Sequence, residues 1–436
     1  MLNDTIAAIS TALKEGAISI VRLSGEDSFA VLKEISDIKD IEANTIRYAH
    51  IYDREELIDE VLVSCFRAPR SYTREDMVEI NCHGGVYVTR KILNLLLSKG
   101  CRLAKAGEFT KRAYLNGRID LSKAESANDL IRATTRIQAK SAIKGLSGSI
   151  EKLLDPLMDE MKDVISLIEV NIDYPEYDDV TEMTNRNIKP YIHKWIEDMK
   201  VMIDKAERFR LIKDGIATVI VGKPNVGKSS LLNALIEQDK AIVTDVAGTT
   251  RDLVEGRLEL KNVTLKLIDT AGIRESEDKV EKIGIERSRK AIEDAELVIL
   301  VIDASDEGEE DRELLELTKH KKRIIVYNKS DIVKKGDIAI SALKGDTSAL
   351  VDHIEEMYKD DVSLVDEDVL NNERQIALMR QALEELEEMD THIDEIPPDV
   401  VMLNIEESYH HLCAILGKEY QEDLIDHMFR NFCLGK

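Results

Sequence analysis

Apolar positions along the first half of the chain change their spacing near residue 121. Before that point, short β-type runs at residues 18–23 and 61–66 alternate with helical stretches such as residues 86–97. After it, apolar side chains recur three or four positions apart, which is the spacing of an amphipathic helix. The pattern predicts an α/β domain followed by long helices.

A second α/β pattern begins near residue 216. The apolar run 217–221 is followed at once by a glycine-bounded loop and a helix. Further apolar runs at residues 265–268, 297–302 and 323–327 alternate with helical stretches until about residue 350. Such alternation is typical of a mostly parallel sheet.

Helical texture returns after this module, at residues 373–390 and from residue 398 to the end. We therefore expect a multidomain protein in which an α-helical bundle domain is interrupted by an inserted α/β domain. The expected boundaries are residues 1–117 for the N-terminal α/β domain, 118–213 and 351–436 for the two parts of the helical domain, and 214–350 for the inserted domain.

Composition narrows the class of protein. The 436 residues are 43% hydrophobic and 33% charged, which is enough apolar material for folded cores. A net charge of −25 argues against a chain that coats nucleic acid through a general positive field.

The five cysteines lack a C-x-x-C pair, the N-terminus lacks the bases of a signal peptide, and no apolar run is long enough for a membrane span. We expect a cytoplasmic protein with no membrane contact.

Residues 222–229 match the phosphate-binding pattern G-x-x-x-x-G-K-S between a buried strand and a helix. Glycines allow backbone N–H groups to close around phosphates, Lys228 reaches the β and γ oxygens, and Ser229 ligates magnesium. The motif predicts a P-loop nucleotide-binding domain.

Three further motifs indicate which nucleotide is bound. D-x-x-G at residues 269–272 follows an apolar strand, and Thr250 is placed to complete the magnesium shell. N-K-S-D at residues 328–331 follows another strand and offers a carboxylate to guanine, and residues 341–343 resemble the last guanine-contacting loop. We therefore predict a Ras-like GTPase domain with Ser229 and Thr250 as magnesium ligands. The expected GTP-binding residues are Asn225, Val226, Gly227, Lys228, Ser229, Ser230, Thr244, Asp245, Val246, Ala247, Gly248, Thr249, Thr250, Asp269, Thr270, Ala271, Gly272, Asn328, Lys329, Asp331, Ser341, Ala342 and Leu343.

The position that holds a water-orienting glutamine in Ras-type enzymes is Ile273 here. An alkyl side chain cannot orient water, so hydrolysis needs a polar group from the charged stretch 274–282 or from a partner. For any single acid of this stretch, a solvated loop residue is the more ordinary interpretation. The candidates are Glu275, Glu277, Asp278 and Glu281.

With these motifs in place, the chain resembles the bacterial and organellar tRNA uridine-modification GTPases, known as MnmE or TrmE. The resemblance runs nearly end to end. It is carried by residues 4–8, 20–25, 71–76, 82–85, 107–113, 115–121 and the terminal C-L-G-K at 433–436.

The resemblance implies a GTP-hydrolysing subunit that modifies C5 of the wobble uridine (U34) in tRNA, forming 5-carboxymethylaminomethyluridine or 5-aminomethyluridine derivatives. It implies a folate-binding-type N-terminal domain that dimerises, a 5-formyl- or 5,10-methylene-tetrahydrofolate one-carbon donor, and an FAD/NADH-dependent flavoprotein partner in a heterotetramer. The folate-binding residues carried over are Arg22, Glu79, Arg118 and Lys436.

The resemblance also implies potassium-stimulated hydrolysis, with a K⁺ ion replacing an arginine finger between paired GTPase domains. Glu281 is selected from the four acids as the water-orienting catalytic residue, beside Lys228 in the phosphate loop. Cys433 is a possible catalytic thiol, and a buried or merely terminal thiol is an equal alternative. The potassium ligands carried over are Asn225, Thr244, Val246 and Thr249.

Two other functions share the GTPase motifs. A ribosome-assembly GTPase usually carries a basic RNA-binding module, but the segment after residue 373 is acidic. A regulatory switch without folate chemistry would leave the N-terminal domain unexplained. His83 is interpreted as a structural histidine in a tight loop, and the acidic run 303–313 and the pair His410 and His411 as solvated surface.

Overall fold

The computed structural model describes residues 4–42, 44–174, 182–238, 256–268 and 289–418, together with Phe429, Phe432 and Gly435. The chain forms two compact units. The first comprises residues 1–133, 142–195 and 378–436, and the second comprises residues 134–141 and 196–377. Both units are discontinuous in sequence, while the domain boundaries given above stay a prediction.

The first unit contains a six-stranded sheet in the order β3-β4-β5-β2-β1-β6. Neighbouring strands are antiparallel except β1 and β6. The strands are β1 (Ile6–Ile9), β2 (Ile18–Ser24), β3 (Thr45–Asp53), β4 (Glu56–Phe66), β5 (Met77–His83) and β6 (Arg102–Leu103). Helices α1 (Ser28–Ile35) and α2 (Val86–Ser98) supply apolar side chains to the core on one face of the sheet. The predicted strands at 18–23 and 61–66 and the helix at 86–97 are thereby confirmed.

Beyond residue 120, the helices on either side of the second α/β module occupy segments that the apolar spacing predicted as helical, whereas the helix at Glu108–Leu115 was not predicted. In α6, the 3–4 spacing buries one face, and that face packs against α13. The helices are α3 (Glu108–Leu115), α4 (Leu121–Arg132), α5 (Arg136–Leu146), α6 (Ser149–Asp173), α7 (Asn185–Asp214), α8 (Lys228–Gln238), α9 (Glu309–Leu317), α10 (Ser348–Met357), α11 (Lys359–Ser363), α12 (Glu373–His392) and α13 (Pro398–Leu416).

The second unit is built on a five-stranded sheet in the order β11-β10-β7-β9-β8. The pairs involving β7 and β10 are parallel, and β8 pairs with β9 antiparallel. Strand β10 is buried along its whole length because apolar clusters cover both faces of the sheet. The strands are β7 (Ile216–Val221), β8 (Gly256–Glu259), β9 (Thr264–Leu267), β10 (Leu297–Asp303) and β11 (Arg323–Asn328). The predicted mostly parallel sheet is confirmed, and the phosphate-loop motif leaves its central strand.

Among the described residues, none of the helices combines the length and the hydropathy that a transmembrane segment requires.

Candidate functional site

The phosphate loop leaves the carboxyl end of β7 and enters α8 at Lys228. A Cβ atom on Gly222 would lie 2.4 Å from the carbonyl oxygen of Val301, and one on Gly227 would lie 2.3 Å from Nδ2 of Asn328. Both glycines also have positive φ, at 158° and 95°. The motif needs glycine at these positions because neighbouring backbone and side chain approach too closely for any other residue.

Lys228 is a half-buried cation inside this loop. Its Nζ donates to the carbonyl oxygens of Gly222 and Lys223, both at 2.8 Å. Burial lowers the pKa of the Lys228 ammonium. Within the described part of the chain no carboxylate pairs with it, so the loop presents a desolvated positive charge that suits a phosphate oxygen.

Asn328 joins the phosphate loop to the predicted guanine loop. Its Nδ2 donates to the carbonyl oxygen of Val226 at 2.8 Å, and its Oδ1 accepts from the backbone N–H of Ala342 at 3.0 Å. The side chain is 3% exposed. One buried amide therefore holds two of the predicted nucleotide-binding segments together at the carboxyl end of the sheet.

Asp331 lies next to the same loop. The Oγ of Ser341 donates to its Oδ1 at 2.7 Å, and this hydrogen bond lowers the pKa of the Asp331 carboxyl group. The carboxylate is therefore ionised at neutral pH and stays exposed at the loop surface. Leu343 is also exposed, whereas Ala342 is buried.

The interpretation of the acidic run 303–313 as solvated surface was wrong for Asp303 and Asp311, which are 5% and 0% exposed. Asp303 pairs with Nζ of Lys329 at 2.5 Å and accepts from Ser305 at 2.6 Å. Burial raises the pKa of Asp303, but these two hydrogen bonds outweigh it and lower the value to about 2. Lys329 of the N-K-S-D motif is thereby tied to the end of β10.

Lys223, the second residue of the phosphate loop, makes the other link to this acidic run. Its Nζ lies 3.1 Å from Oδ2 of Asp306 and 3.3 Å from Oδ2 of the buried Asp311, and it also donates to the carbonyl oxygen of Asp306. Asp311 caps α9 by accepting from the N–H of Gly308 at 2.9 Å. Through Lys223, Asp306 and Asp311 hold the phosphate loop against the loop between β10 and α9.

The remaining predicted nucleotide-site residues lie outside the described residues. They are Thr244, Asp245, Val246, Ala247, Gly248, Thr249, Thr250, Asp269, Thr270, Ala271, Gly272 and Glu281. Of the potassium ligands carried over, Asn225 is the one within the described residues; it lies in the phosphate loop, is exposed and has φ of 61°.

A second polar site lies in the N-terminal unit. Arg22 on β2 stands directly opposite Glu79 on β5, and its Nε and Nη2 donate to Oε1 at 2.9 and 2.6 Å. Its Nη1 donates to the carbonyl oxygen of Gly435 at 3.2 Å. The charge of Arg22 is therefore already matched by Glu79. The predicted residues Lys436 and Cys433 are outside the described part of the chain.

Glu79 and Arg118 line one cleft of about 540 Å³, together with Tyr72. The Arg118 guanidinium lies 4.7 Å from the centre of the Tyr72 ring and donates to the Tyr72 carbonyl oxygen at 3.1 Å. This volume lies within the usual range of small-molecule sites. Two of the three described folate candidates thus share a cleft, and the third, Arg22, is hydrogen-bonded to Glu79 from the neighbouring strand.

Family models and curated relatives match this chain over nearly its whole length. The model of the MnmE helical domain matches residues 121–433, and that of the GTP-binding protein TrmE N-terminus matches residues 5–118. The tRNA modification GTPase MnmE of Lactococcus lactis subsp. cremoris (strain MG1363) is 46% identical over 99% of this chain and 98% of its own length. Its counterpart from Levilactobacillus brevis is 47% identical with the same coverage. The chain belongs to the MnmE family of tRNA modification GTPases.

A crystal structure of Era with MgGDPNP and a 16S ribosomal RNA fragment also matches this MnmE-family chain. The match covers 38% of the chain and 65% of Era at 27% identity, with a TM-score of 0.25. A TM-score this low carries no further conclusion about the MnmE-family chain.

Sequence reasoning missed several residues that complete the two sites of this MnmE-family chain. Lys223 and Asp303 were not singled out because nothing in their local pattern shows which acid or base they contact. Tyr72 lies within residues 71–76, one of the segments that carry the family resemblance, but only the fold places its ring against Arg118. His83 is the last residue of β5, not part of a loop, and its Nδ1 lies 2.7 Å from Asp59.

Proposed function

We propose that this chain is the GTP-hydrolysing subunit of a system that modifies C5 of the wobble uridine in tRNA. The observation that carries the proposal is the meeting of the phosphate loop and the guanine motif at Asn328, in a chain related to tRNA modification GTPases over 99% of its length. Its products are 5-carboxymethylaminomethyluridine or 5-aminomethyluridine derivatives, and its compartment is the cytoplasm.

The described residues fit GTP and Mg²⁺. The half-buried Lys228 ammonium takes phosphate oxygens, and the glycines allow backbone N–H groups to face them. The ionised Asp331 accepts from the N1–H and 2-amino group of guanine, a donor pair that adenine lacks. Ser229 would hold Mg²⁺ together with Thr250, which lies outside the described residues, and the ion would supply charge neutralisation at the β and γ phosphates.

Hydrolysis in this proposal depends on a K⁺ ion held by Asn225, Thr244, Val246 and Thr249, and on Glu281 to orient water. A monovalent cation beside the bridging oxygens would neutralise developing charge as an arginine finger does. The exposed position of Asn225 is compatible with a shared site between two paired GTPase domains.

The experiment that tests this is GTP turnover by the full chain in KCl and in NaCl at equal ionic strength. Strong stimulation by potassium alone supports domain pairing around Asn225, and Asn225→Ala should remove the stimulation. A matched substitution, Asn262→Ala, at an exposed residue of the β8–β9 turn, should leave it intact. Equal rates in the two salts would remove the potassium mechanism while leaving the GTPase.

The N-terminal cleft supports a tetrahydrofolate site for the 5-formyl or 5,10-methylene donor. Glu79 is oriented by Arg22 and can accept paired N–H donors from a pterin ring, while Arg118 suits a glutamate carboxylate. Lys436 and Cys433 belong to the same proposal by resemblance, without a described position.

The N-terminal sheet also supports the proposed homodimer. Ile46, Tyr48 and Leu62 are 69%, 61% and 48% exposed, and Tyr48 stands directly opposite Leu62. Contiguous exposed apolar side chains of this kind are typical of protein contact surfaces. In the proposed assembly, this homodimer joins an FAD/NADH-dependent flavoprotein partner to form a heterotetramer. The heterotetramer binds tRNA.

The alternative is a ribosome-assembly or regulatory GTPase without folate chemistry. Calorimetry with 5-formyltetrahydrofolate distinguishes the two. Binding that is lost in Glu79→Gln and kept in Glu56→Gln, at the exposed start of β4, supports the modification enzyme. An absence of binding in the wild-type chain favours the alternative.

A further inference from the structure

The cleft that contains Glu79 has a rim of arginines. Arg70, Arg74 and Arg118 all line this cleft and all are exposed. No carboxylate pairs with any of the three among the residues that the structure describes. We call these three residues the arginine rim.

The nearby acids are already committed to other partners. Glu75 accepts from the buried Arg112 at 3.1 Å and from Ser24 at 2.6 Å. Asp76 accepts from the backbone N–H of Ala68 at 2.8 Å, and Glu79 is paired with Arg22 as described above. Local carboxylates therefore do not neutralise the rim. In a chain with a net charge of −25, this makes the rim a localised positive surface.

The rim is held in place by bonds between two loops. The Nη1 of Arg74 donates to the carbonyl oxygen of Asn116 at 2.9 Å, and Nδ2 of Asn116 donates to the carbonyl oxygen of Thr73 at 2.6 Å. Arg74 has φ of 60°, a conformation uncommon for a residue other than glycine. Arg118 is fixed to the same loop through Tyr72. Two guanidinium groups are thus positioned by hydrogen bonds that each use only one nitrogen.

The remaining N–H donors of these groups suit the oxygens of phosphodiesters, to which guanidinium binds bidentately. Tyr72 places an aromatic ring among them, and alternating aromatic and arginine side chains are typical of RNA-binding surfaces, where bases stack on them. We propose that the arginine rim docks the phosphate backbone of the tRNA substrate beside the cleft. This inference rests on the proposed function, since it takes the partner to be tRNA.

The geometry also explains how an acidic protein binds RNA. General attraction is absent at a net charge of −25, so affinity has to come from a few local phosphate contacts. The rim borders the cleft in which the one-carbon donor is proposed to lie. Docking the backbone there brings a nearby unstacked nucleotide to that cleft.

The test is binding of an unmodified tRNA transcript with uridine at the wobble position to the full chain, followed by fluorescence anisotropy. The affinity is measured between about 50 and 200 mM KCl, so that the slope of log K against log salt counts phosphate contacts. The variants are Arg70→Ala/Arg74→Ala and the charge-keeping Arg70→Lys/Arg74→Lys. Arg90→Ala, at an exposed arginine of α2 outside the cleft lining, is the matched control.

The double alanine variant should bind about tenfold more weakly at low salt, and its salt slope should shrink by about 1.4 to 1.8, the value for two lost phosphate contacts. The double lysine variant should keep the slope, and Arg90→Ala should resemble the wild type. GTP turnover should be unchanged in all of them, and the urea unfolding transition reported by Trp195 should match the wild type, which shows that the first unit of each variant is folded.

Three outcomes overturn the proposal. If the double alanine variant binds tRNA normally with an unchanged salt slope, the docking role of the arginine rim is overturned and the proposed function is unaffected. If that variant binds 5-formyltetrahydrofolate more weakly but tRNA normally, the rim binds the carboxylates of the folate and not the phosphates of tRNA. No salt-dependent tRNA binding by the wild-type chain overturns both the rim and the tRNA part of the proposed function.

Discussion

At the scale of single residues, we propose that Asp331 selects the base. Its carboxylate is kept ionised by the hydrogen bond from Ser341, and guanine needs an acceptor at this position. Asp331→Asn replaces one acceptor oxygen with an N–H donor, which suits the 2-oxygen of xanthine. We expect turnover of GTP to fall and turnover of XTP to rise when both are assayed side by side. Asp337→Asn, at an exposed acid of the following loop, is the control, and an unchanged GTP preference in Asp331→Asn would contradict the guanine assignment.

We expect Lys223 to affect nucleotide release through the phosphate loop, without contacting the nucleotide. Its ion pairs with Asp306 and Asp311 hold the loop, so Lys223→Ala should release GDP a few-fold faster in stopped-flow experiments with a fluorescent GDP analogue. Lys223→Arg should restore slow release because it keeps the charge. Lys319→Ala, which removes an exposed ion pair on a neighbouring surface, should change nothing. Equal release rates in Lys223→Ala and wild type would show that these ion pairs do not slow nucleotide release.

At the scale of elements, α13 shows how one face of a helix sets stability. Leu412 is 0% exposed and Leu403 is 55% exposed on the same helix. Leu412→Ala should lower the free energy of unfolding of the first unit by about 2–5 kcal/mol, because it removes apolar contacts and leaves a cavity. Leu403→Ala should change it by less than about 0.5 kcal/mol. Both free energies can be measured by urea unfolding, followed by the fluorescence of Trp195. Trp195 is the one tryptophan of the chain and is fully buried in that unit. Similar losses of unfolding free energy in the two variants would contradict the assignment of buried and exposed faces.

At the scale of the whole molecule, the exposed apolar residues of the N-terminal sheet decide the proposed oligomeric state. Leu62→Glu places a charge opposite Tyr48, and burying that charge in a dimer contact would be costly. We expect this variant to be monomeric by size-exclusion chromatography with light scattering, under conditions in which the wild type is a dimer. Leu403→Glu, with the same change at an exposed leucine of α13, should remain dimeric. A dimeric Leu62→Glu variant would place the contact elsewhere.

Much of the fold was predictable because its signals are local in sequence. The G-x-x-x-x-G-K-S motif and the apolar run before it fix a strand, loop and helix from consecutive residues, and the structure confirms them as β7, the phosphate loop and α8. The amphipathic spacing of α6 likewise identifies its buried face. These elements follow from backbone geometry and side-chain periodicity, neither of which depends on distant residues.

The sequence by itself determined the family resemblance, the order of the elements and the guanine-nucleotide motifs. Only the tertiary structure decided which charged groups meet. Arg22 is paired with Glu79, 57 positions away, and Asp303 is buried against Lys329 at the ends of neighbouring strands. The partner of a charged side chain depends on which chain segments the fold brings within a few ångströms of it, and no local pattern encodes that distance. The family resemblance predicted Arg118 as a folate-binding residue, and only the fold showed that it lines the same cleft as Arg70 and Arg74.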